Sequence, residues 1–158
     1  MWNIVGQIVS AASGLAIGWL MPIMDKIAYI YILHPEAQIS QYLKYQVEKK
    51  QLKKVWQTIK LRGEEFDKLT TRGLLFQITW AVLAIFTLTS TAGWFGKCLV
   101  MGLGLRILIG EWTEWLKNKE AMEKKLLWQV KSDWTEKEIK VYLWIKTAVF
   151  IWLIRMLF

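Results

Sequence analysis

Three cationic side chains interrupt otherwise apolar stretches of this chain and are its first candidates for chemistry. Arg106 belongs to the apolar segment 98–113, and Lys140 and Lys146 belong to the segment 139–158. A cation at the centre of a membrane helix costs roughly 2.5–3.5 kcal/mol, so it requires water, an anion or a lipid phosphate nearby. These residues therefore predict a cationic pore lining or a contact to anions and lipid headgroups. The simpler alternative is that their long side chains extend toward the headgroups.

Two carboxylates, Asp25 and Glu111, are the candidate charge partners of these cations. At 1.5 Å per helical residue, Arg106 and Lys146 lie about 10 and 12 Å from the inner ends of their segments. Asp25 and Glu111 fall closer to the inner boundary. The spacing therefore predicts two cations at a common depth with no acid beside them.

The composition argues against catalysis and against metal binding. His34 is the only histidine and Cys98 is the only cysteine, so a Ser/His/Asp or Cys/His set cannot be assembled convincingly. The chain also carries neither a phosphate-binding loop nor a dinucleotide fingerprint. We therefore expect no enzyme activity, no metal and no cofactor.

The distribution of apolar residues predicts an all-α, polytopic membrane protein. Hydrophobic residues make up 54% of the 158, eleven residues are Trp, and the stretches 1–24 and 73–96 contain no charge. A bilayer core requires about 20 apolar residues of helix, which both stretches supply. Adding the two interrupted segments gives a single membrane domain with four spans, at about residues 2–24, 73–93, 96–113 and 138–158.

Basic residues indicate how these spans are oriented. The connections 35–72 and 114–137 lie on one side of a four-span protein and hold nine and six Lys or Arg residues. The opposite hairpin holds only Lys97. Because cytoplasmic loops are rich in Lys and Arg, both connections are predicted to be cytoplasmic and both termini to lie on the other side.

The first connection is predicted to form an amphipathic helix within residues 37–69. Leu52, Val55, Trp56 and Ile59 follow helical spacing. Five lysines crowd the same region and predict a surface for anionic lipid or for nucleic acid: Lys49, Lys50, Lys53, Lys54 and Lys60. The alternative is that the apolar seam packs on the other cytoplasmic helix while the lysines face water.

Local signals predict several helix boundaries. His34 and Pro35 are expected to end the first helix. The third span has no breaker after Gly110 until Ser132, so it is expected to project continuously into the cytoplasm. Thr135 and Glu138 match a capping box and predict the start of the fourth helix.

One face of the first span carries small residues at every fourth position, namely Gly6, Ser10, Gly14 and Gly18. Within lipid, helices associate where small residues let their backbones approach. The stripe predicts helix packing, either with another copy of the chain or with another span of the same chain. Trp80, in an uncharged span, is expected to be a bulky side chain that faces lipid.

Together these features predict a self-associating, non-enzymatic integral membrane protein, with a homo-oligomeric pore of cationic lining as the first hypothesis. The alternative is a non-conducting structural subunit of a membrane complex or viral envelope. In that case the basic segments would bind anionic lipid or, as a weaker expectation, nucleic acid.

Overall fold

A computed structural model describes residues 2–62, 66, 69–128, 130 and 134–157 of the chain, with backbone only at residues 2, 3, 52, 60 and 121. Across these residues the fold is all-helical, with no strand. The α-helices are α1 (Trp2–Ala28), α2 (Gln38–Glu48), α3 (Leu52–Leu61), α4 (Leu74–Thr89), α5 (Trp94–Lys117), α6 (Lys119–Leu127) and α7 (Glu136–Leu157). A π-helical turn, Tyr29–Leu33, continues α1, and a 3₁₀ turn, Thr70–Arg72, precedes α4.

The closest helix pair is α1 against α5, and glycines on both helices allow it. A Cβ atom built on Gly14 would lie 2.3 Å from the carbonyl oxygen of Phe95, and one on Gly18 would lie 2.1 Å from that of Leu99. On the facing helix, a Cβ on Gly102 would lie 2.6 Å from the carbonyl oxygen of Leu15. The two backbones are therefore in direct contact, which only residues without side chains permit.

An apolar core joins α4, α5 and α7. Trp80 of α4 lies over Gly104 of α5, where a Cβ would come within 2.0 Å of the indole ring. The indole Nε1–H donates to the carbonyl of Val100 at 3.1 Å, and Phe150 of α7 stacks on the other side. Trp80 is thus buried in the bundle, and the expectation that it is lipid-facing bulk is wrong.

Apolar side chains also cover the outside of this bundle. Ile8 of α1, Val82 and Phe86 of α4 and Ile151 of α7 are all more than half exposed. Among the described residues, one helical stretch, Ile4–Leu33, is long and apolar enough to cross a membrane, and its composition also fits a signal sequence. The helix α4 is apolar but shorter, at 16 residues.

A smaller helical layer packs beyond the end of α1. Tyr29 and Ile30 of the π-helical turn contact Ile39 and Leu43 of α2 together with Phe66. The predicted helix end at His34 is confirmed, because helical structure stops at Leu33.

The amphipathic helix predicted within residues 37–69 is present as α3, which contains all four residues of the predicted seam, and a separate helix, α2, precedes it. The turn between α2 and α3 contains Lys50 at φ 55°, a left-handed conformation that a lysine adopts only at a local cost. Val55 and Ile59 of the predicted apolar seam pack against the cluster around Tyr29, whereas Trp56 is exposed.

The expected continuation of the third span is interrupted as well. The backbone becomes extended at Asn118, which separates α5 from α6. The start of α7 agrees with the sequence, because Thr135 N–H donates to the carboxylate of Glu138 at 2.6 Å and the Glu138 N–H points back to Thr135 Oγ1 at 3.4 Å. The predicted capping box is confirmed.

Candidate functional site

Polar side chains from α4, α5 and α7 meet inside the bundle, at the end of the apolar core. Gln77 lies one turn into α4, Glu111 lies near the end of α5, and Lys146 lies in the middle of α7. Gln77 and Glu111 are buried, and the Lys146 side chain is 10% exposed. The three helices that supply the apolar core therefore also position this group, which we call the polar layer.

Hydrogen bonds within the polar layer form a closed network. The Lys146 ammonium donates to Glu111 Oε2 at 2.5 Å, and Gln77 Nε2 donates to Glu111 Oε1 at 2.5 Å. The Gln77 carbonyl oxygen accepts from Lys146 and from the hydroxyl of Tyr142. A fully paired buried network stabilises one arrangement of the helices that supply it, because each partner left alone would be costly.

A second group of charges extends the polar layer toward the helical layer. Glu114 of α5 pairs with Arg72 of the 3₁₀ turn and accepts from Lys125 of α6 at 3.4 Å. Burial lowers the pKa of the Arg72 guanidinium, while the negative charge of Glu111 raises it. These contacts tie α5 and α6 to the turn that starts α4.

A cavity of about 40 Å³ lies between α1, the 3₁₀ turn and α5, and Glu111 is one of the residues that line it. Three cations line it, namely Lys26, Arg72 and Arg106. Asp25 is near this cavity, but its carboxylate accepts two hydrogen bonds from Thr71, from the backbone N–H and the hydroxyl, both at 2.8 Å. We refer to this space as the cationic cavity.

Lys26 and Arg106 form neither ion pairs nor hydrogen bonds with the described part of the chain. The ammonium of Lys26 lies 5.7 Å from the ring centre of Phe66, and the guanidinium of Arg106 lies 5.2 Å from that of Trp19. Arg106 Nε is buried and lacks a partner among those same residues. The cationic cavity therefore contains hydrogen-bond donors that have no partner among the described residues.

The candidate cations from the sequence lie in three different settings. Lys146 is paired with Glu111 in the polar layer, Arg106 lines the cationic cavity, and Lys140 is exposed on α7. The expectation that no acid lies at the depth of Lys146 is wrong, because Glu111 reaches it across the bundle. Asp25 contacts Thr71 instead of a candidate cation.

The small-residue stripe divides in two. Gly14 and Gly18 contact α5 of the same chain, whereas a Cβ on Gly6 would meet nothing within 4 Å. Ser10 is partly buried, and its carbonyl accepts a hydrogen bond from the Ser13 hydroxyl. Gly14 and Gly18 thus pack against another helix of the same chain.

The basic surface predicted for the first connection lies at the turn between α2 and α3. Lys49, Lys50, Lys53 and Lys54 are exposed there, while the side chain of Lys60 lies outside the described residues. The ammonium of Lys49 lies 4.3 Å from the ring centre of Tyr45.

Sequence reasoning missed several members of the site. Gln77 carried a usable signal, since it is the only amide in the apolar helix α4. Lys26 and Arg72 flank apolar segments and resembled ordinary boundary charges. No group of three His, Cys, Asp or Glu side chains within the described ranges is arranged to hold a metal ion.

The chain matches no protein-family model, no curated protein and no solved structure.

Proposed function

We propose that this chain is a non-enzymatic, four-span integral membrane protein that holds a basic helical layer against the anionic face of a membrane. The four spans are α1, α4, α5 and α7. The observation that carries the proposal is the apolar outer surface of this bundle. Large apolar side chains are exposed on α1, α4 and α7, while the buried charged and amide side chains pair with one another at one end of the apolar core.

The exposed polar atoms of these helices support the same proposal. The hydroxyls of Thr79 and Thr87 on α4 donate to the carbonyls of Leu75 and Leu83, four residues earlier. Thr113 on α5 does the same with Ile109. A lipid-facing hydroxyl must form its hydrogen bond within its own helix, because the hydrocarbon offers no hydrogen-bond partner.

Helix lengths fit a bilayer. At 1.5 Å per residue, α5 and α7 extend about 36 and 33 Å, against a hydrocarbon core about 30 Å thick. The 16-residue α4 extends about 24 Å. Near the start of α4, the Gln77 amide of the polar layer donates to the Arg72 carbonyl in the turn that precedes the helix.

Exposed lysines at the α2–α3 turn supply the proposed lipid-binding surface. Each basic residue near an anionic membrane contributes about 1 kcal/mol to binding. The exposed ring of Trp56, on α3, gives this surface an apolar contact with the interface.

Cysteine labelling of the full chain in membrane vesicles tests the topology. Starting from a Cys98→Ser background, single cysteines replace Lys53, Thr91 and Lys137. We expect labelling of Lys53→Cys and Lys137→Cys from one side and of Thr91→Cys from the other. Labelling of all three from one side would contradict the four-span arrangement, and release of the chain by alkaline carbonate would contradict integral insertion.

The oligomeric cationic pore predicted from the sequence remains a second hypothesis. Because Lys146 is paired within the bundle, this pore would depend on Arg106 and Lys140. Anion flux through reconstituted vesicles tests it. Absent flux, or flux whose selectivity is unchanged in Arg106→Gln and Lys140→Gln, would exclude a cationic lining.

A further inference from the structure

We propose that the cationic cavity binds a phosphate group, and this inference rests on the four-span arrangement for its position in the membrane. Lys26 follows the uncharged stretch 1–24, and Arg106 lies one and a half turns before Glu111 in α5. Their shared cavity is therefore at the level where the apolar bundle meets its polar layer. In the four-span arrangement this level is toward the inner side of the membrane, and long Lys and Arg side chains in that region extend toward lipid phosphates.

The donors in the cavity match phosphate chemistry. Lys26 offers three N–H groups, and Arg106 offers a planar guanidinium whose buried Nε has no partner within the described residues. The hydrogen bond and ion pair of Arg72 are made through Nη1 to Glu114. Arg and Lys together are the usual ligands of phosphate, with Arg supplying paired hydrogen bonds and Lys a point charge.

The carboxylates that border the cavity are already engaged. Asp25 Oδ2 accepts both hydrogen bonds of Thr71, and the two oxygens of Glu111 accept from Gln77 and Lys146. Neither acid forms an ion pair with Lys26 or Arg106. Arg72 is paired with Glu114, so Lys26 and Arg106 are the lining cations without an ion pair among the described residues, and a bound phosphate dianion would compensate them.

The size of the cavity limits the ligand. A volume of 40 Å³ admits about three water-sized groups, at roughly 10–15 Å³ each. The cavity therefore has room for a single phosphate group, and anything attached to that group would extend through the cavity's opening. Two unpaired cations favour a doubly charged group, so the chemistry points to a phosphate monoester or free phosphate.

Isothermal titration calorimetry on the full chain in uncharged detergent tests the proposal. One titration uses inorganic phosphate, a second uses short-chain phosphatidic acid, and a third uses short-chain phosphatidylcholine for comparison. We expect phosphate or phosphatidic acid to bind more tightly than phosphatidylcholine. Binding of phosphatidic acid alone would assign the site to a lipid headgroup, and binding of phosphate alone would assign it to the free ion.

Variants connect the binding to the cavity. We expect Arg106→Gln and Lys26→Gln each to weaken binding about tenfold or more, because each variant loses a charge-assisted hydrogen bond to the phosphate. Arg155→Gln removes an exposed cation in the last turn of α7 and should leave affinity within about twofold. Arg106→Lys, which keeps the charge, should retain an intermediate affinity and remains informative if Arg106→Gln does not fold.

Equal weakening by Arg155→Gln would overturn the proposal, because general electrostatic attraction would then explain binding. Unchanged affinity in both Arg106→Gln and Lys26→Gln, or no binding of phosphate or phosphatidic acid by the parent chain, would overturn it as well. Cysteine labelling reports on topology independently of these titrations, so failure of the phosphate site and failure of the four-span arrangement give different results.

Discussion

Replacing Gly18 with Ala should separate α1 from α5. The new Cβ would lie 2.1 Å from the Leu99 carbonyl oxygen and 2.9 Å from the Leu103 backbone nitrogen. Ordinary contact begins at 3.4 Å, so the carbonyl must retreat by about 1.3 Å, and it belongs to a helical backbone that cannot move alone. A gap of 0.5–1 Å already removes roughly a quarter to a half of the dispersion energy between facing atoms. We expect overpacking to cost about 3 kcal/mol.

Gly6 provides the matched control, because a Cβ there meets nothing within 4 Å. Both glycines are inside α1, so the helix-propensity gain of Ala, up to about 1 kcal/mol, is common to both variants. The difference between Gly18→Ala and Gly6→Ala therefore isolates the contact with α5. Unfolding by a denaturing detergent in mixed micelles, followed by circular dichroism, measures the free energies.

We expect Gly18→Ala to be less stable than Gly6→Ala by about 3 kcal/mol, independently of protein concentration. Equal stabilities, within about 0.5 kcal/mol, would refute the direct backbone contact. If the difference in stability between the two variants grows on dilution, Gly14 and Gly18 would instead be assigned to association between copies of the chain.

Three further outcomes are expected. Lys146→Met should lower the free energy of unfolding by about 3–5 kcal/mol, because the Glu111 carboxylate is then buried without its ammonium partner. Combining Lys146→Met with Glu111→Gln should recover much of this loss. A double variant as unstable as the sum of the two single variants would contradict the pairing. Thr135→Ala should cost about 1 kcal/mol through loss of the capping box, measured by the same unfolding assay, and no change would show that α7 does not depend on it. Gly104→Ala should displace the indole of Trp80 and alter its near-ultraviolet circular dichroism, while an unchanged spectrum would argue against their contact.

Sequence alone predicted the all-helical class and several boundaries, because those depend on local chemistry. The end of the first helix before Pro35 follows from the restricted backbone of the residue that precedes a proline. The start of α7 follows from reciprocal hydrogen bonds within four residues, Thr135 to Glu138. Signals of this kind act within one turn of chain, so neighbouring residues suffice to read them.

The polar layer could not be derived in the same way, because it depends on how the helices are rotated and offset. Glu111 meets Lys146 across 35 residues, and Gln77 meets it across 69. Counting depth along each segment separately gave Glu111 and Lys146 different depths, but a carboxylate and an ammonium each extend several ångströms from the backbone and meet between the helices. The breaks at Lys50 and Asn118 are similar cases, because neither residue is an obligatory helix breaker and tertiary packing decides the outcome.

The pairing of Glu111 with Lys146 also constrains how the chain is made. Translation produces Glu111 35 residues before its partner. In the four-span arrangement, α5 therefore enters the membrane with the Glu111 carboxylate before Lys146 has been synthesised. The last helix, α7, supplies that ammonium and completes the bundle. A ribosome that stops before α7 would release a product with an open acidic site. Such a fragment would differ from the finished protein in charge within the bundle, because Glu111 would lack its ammonium partner.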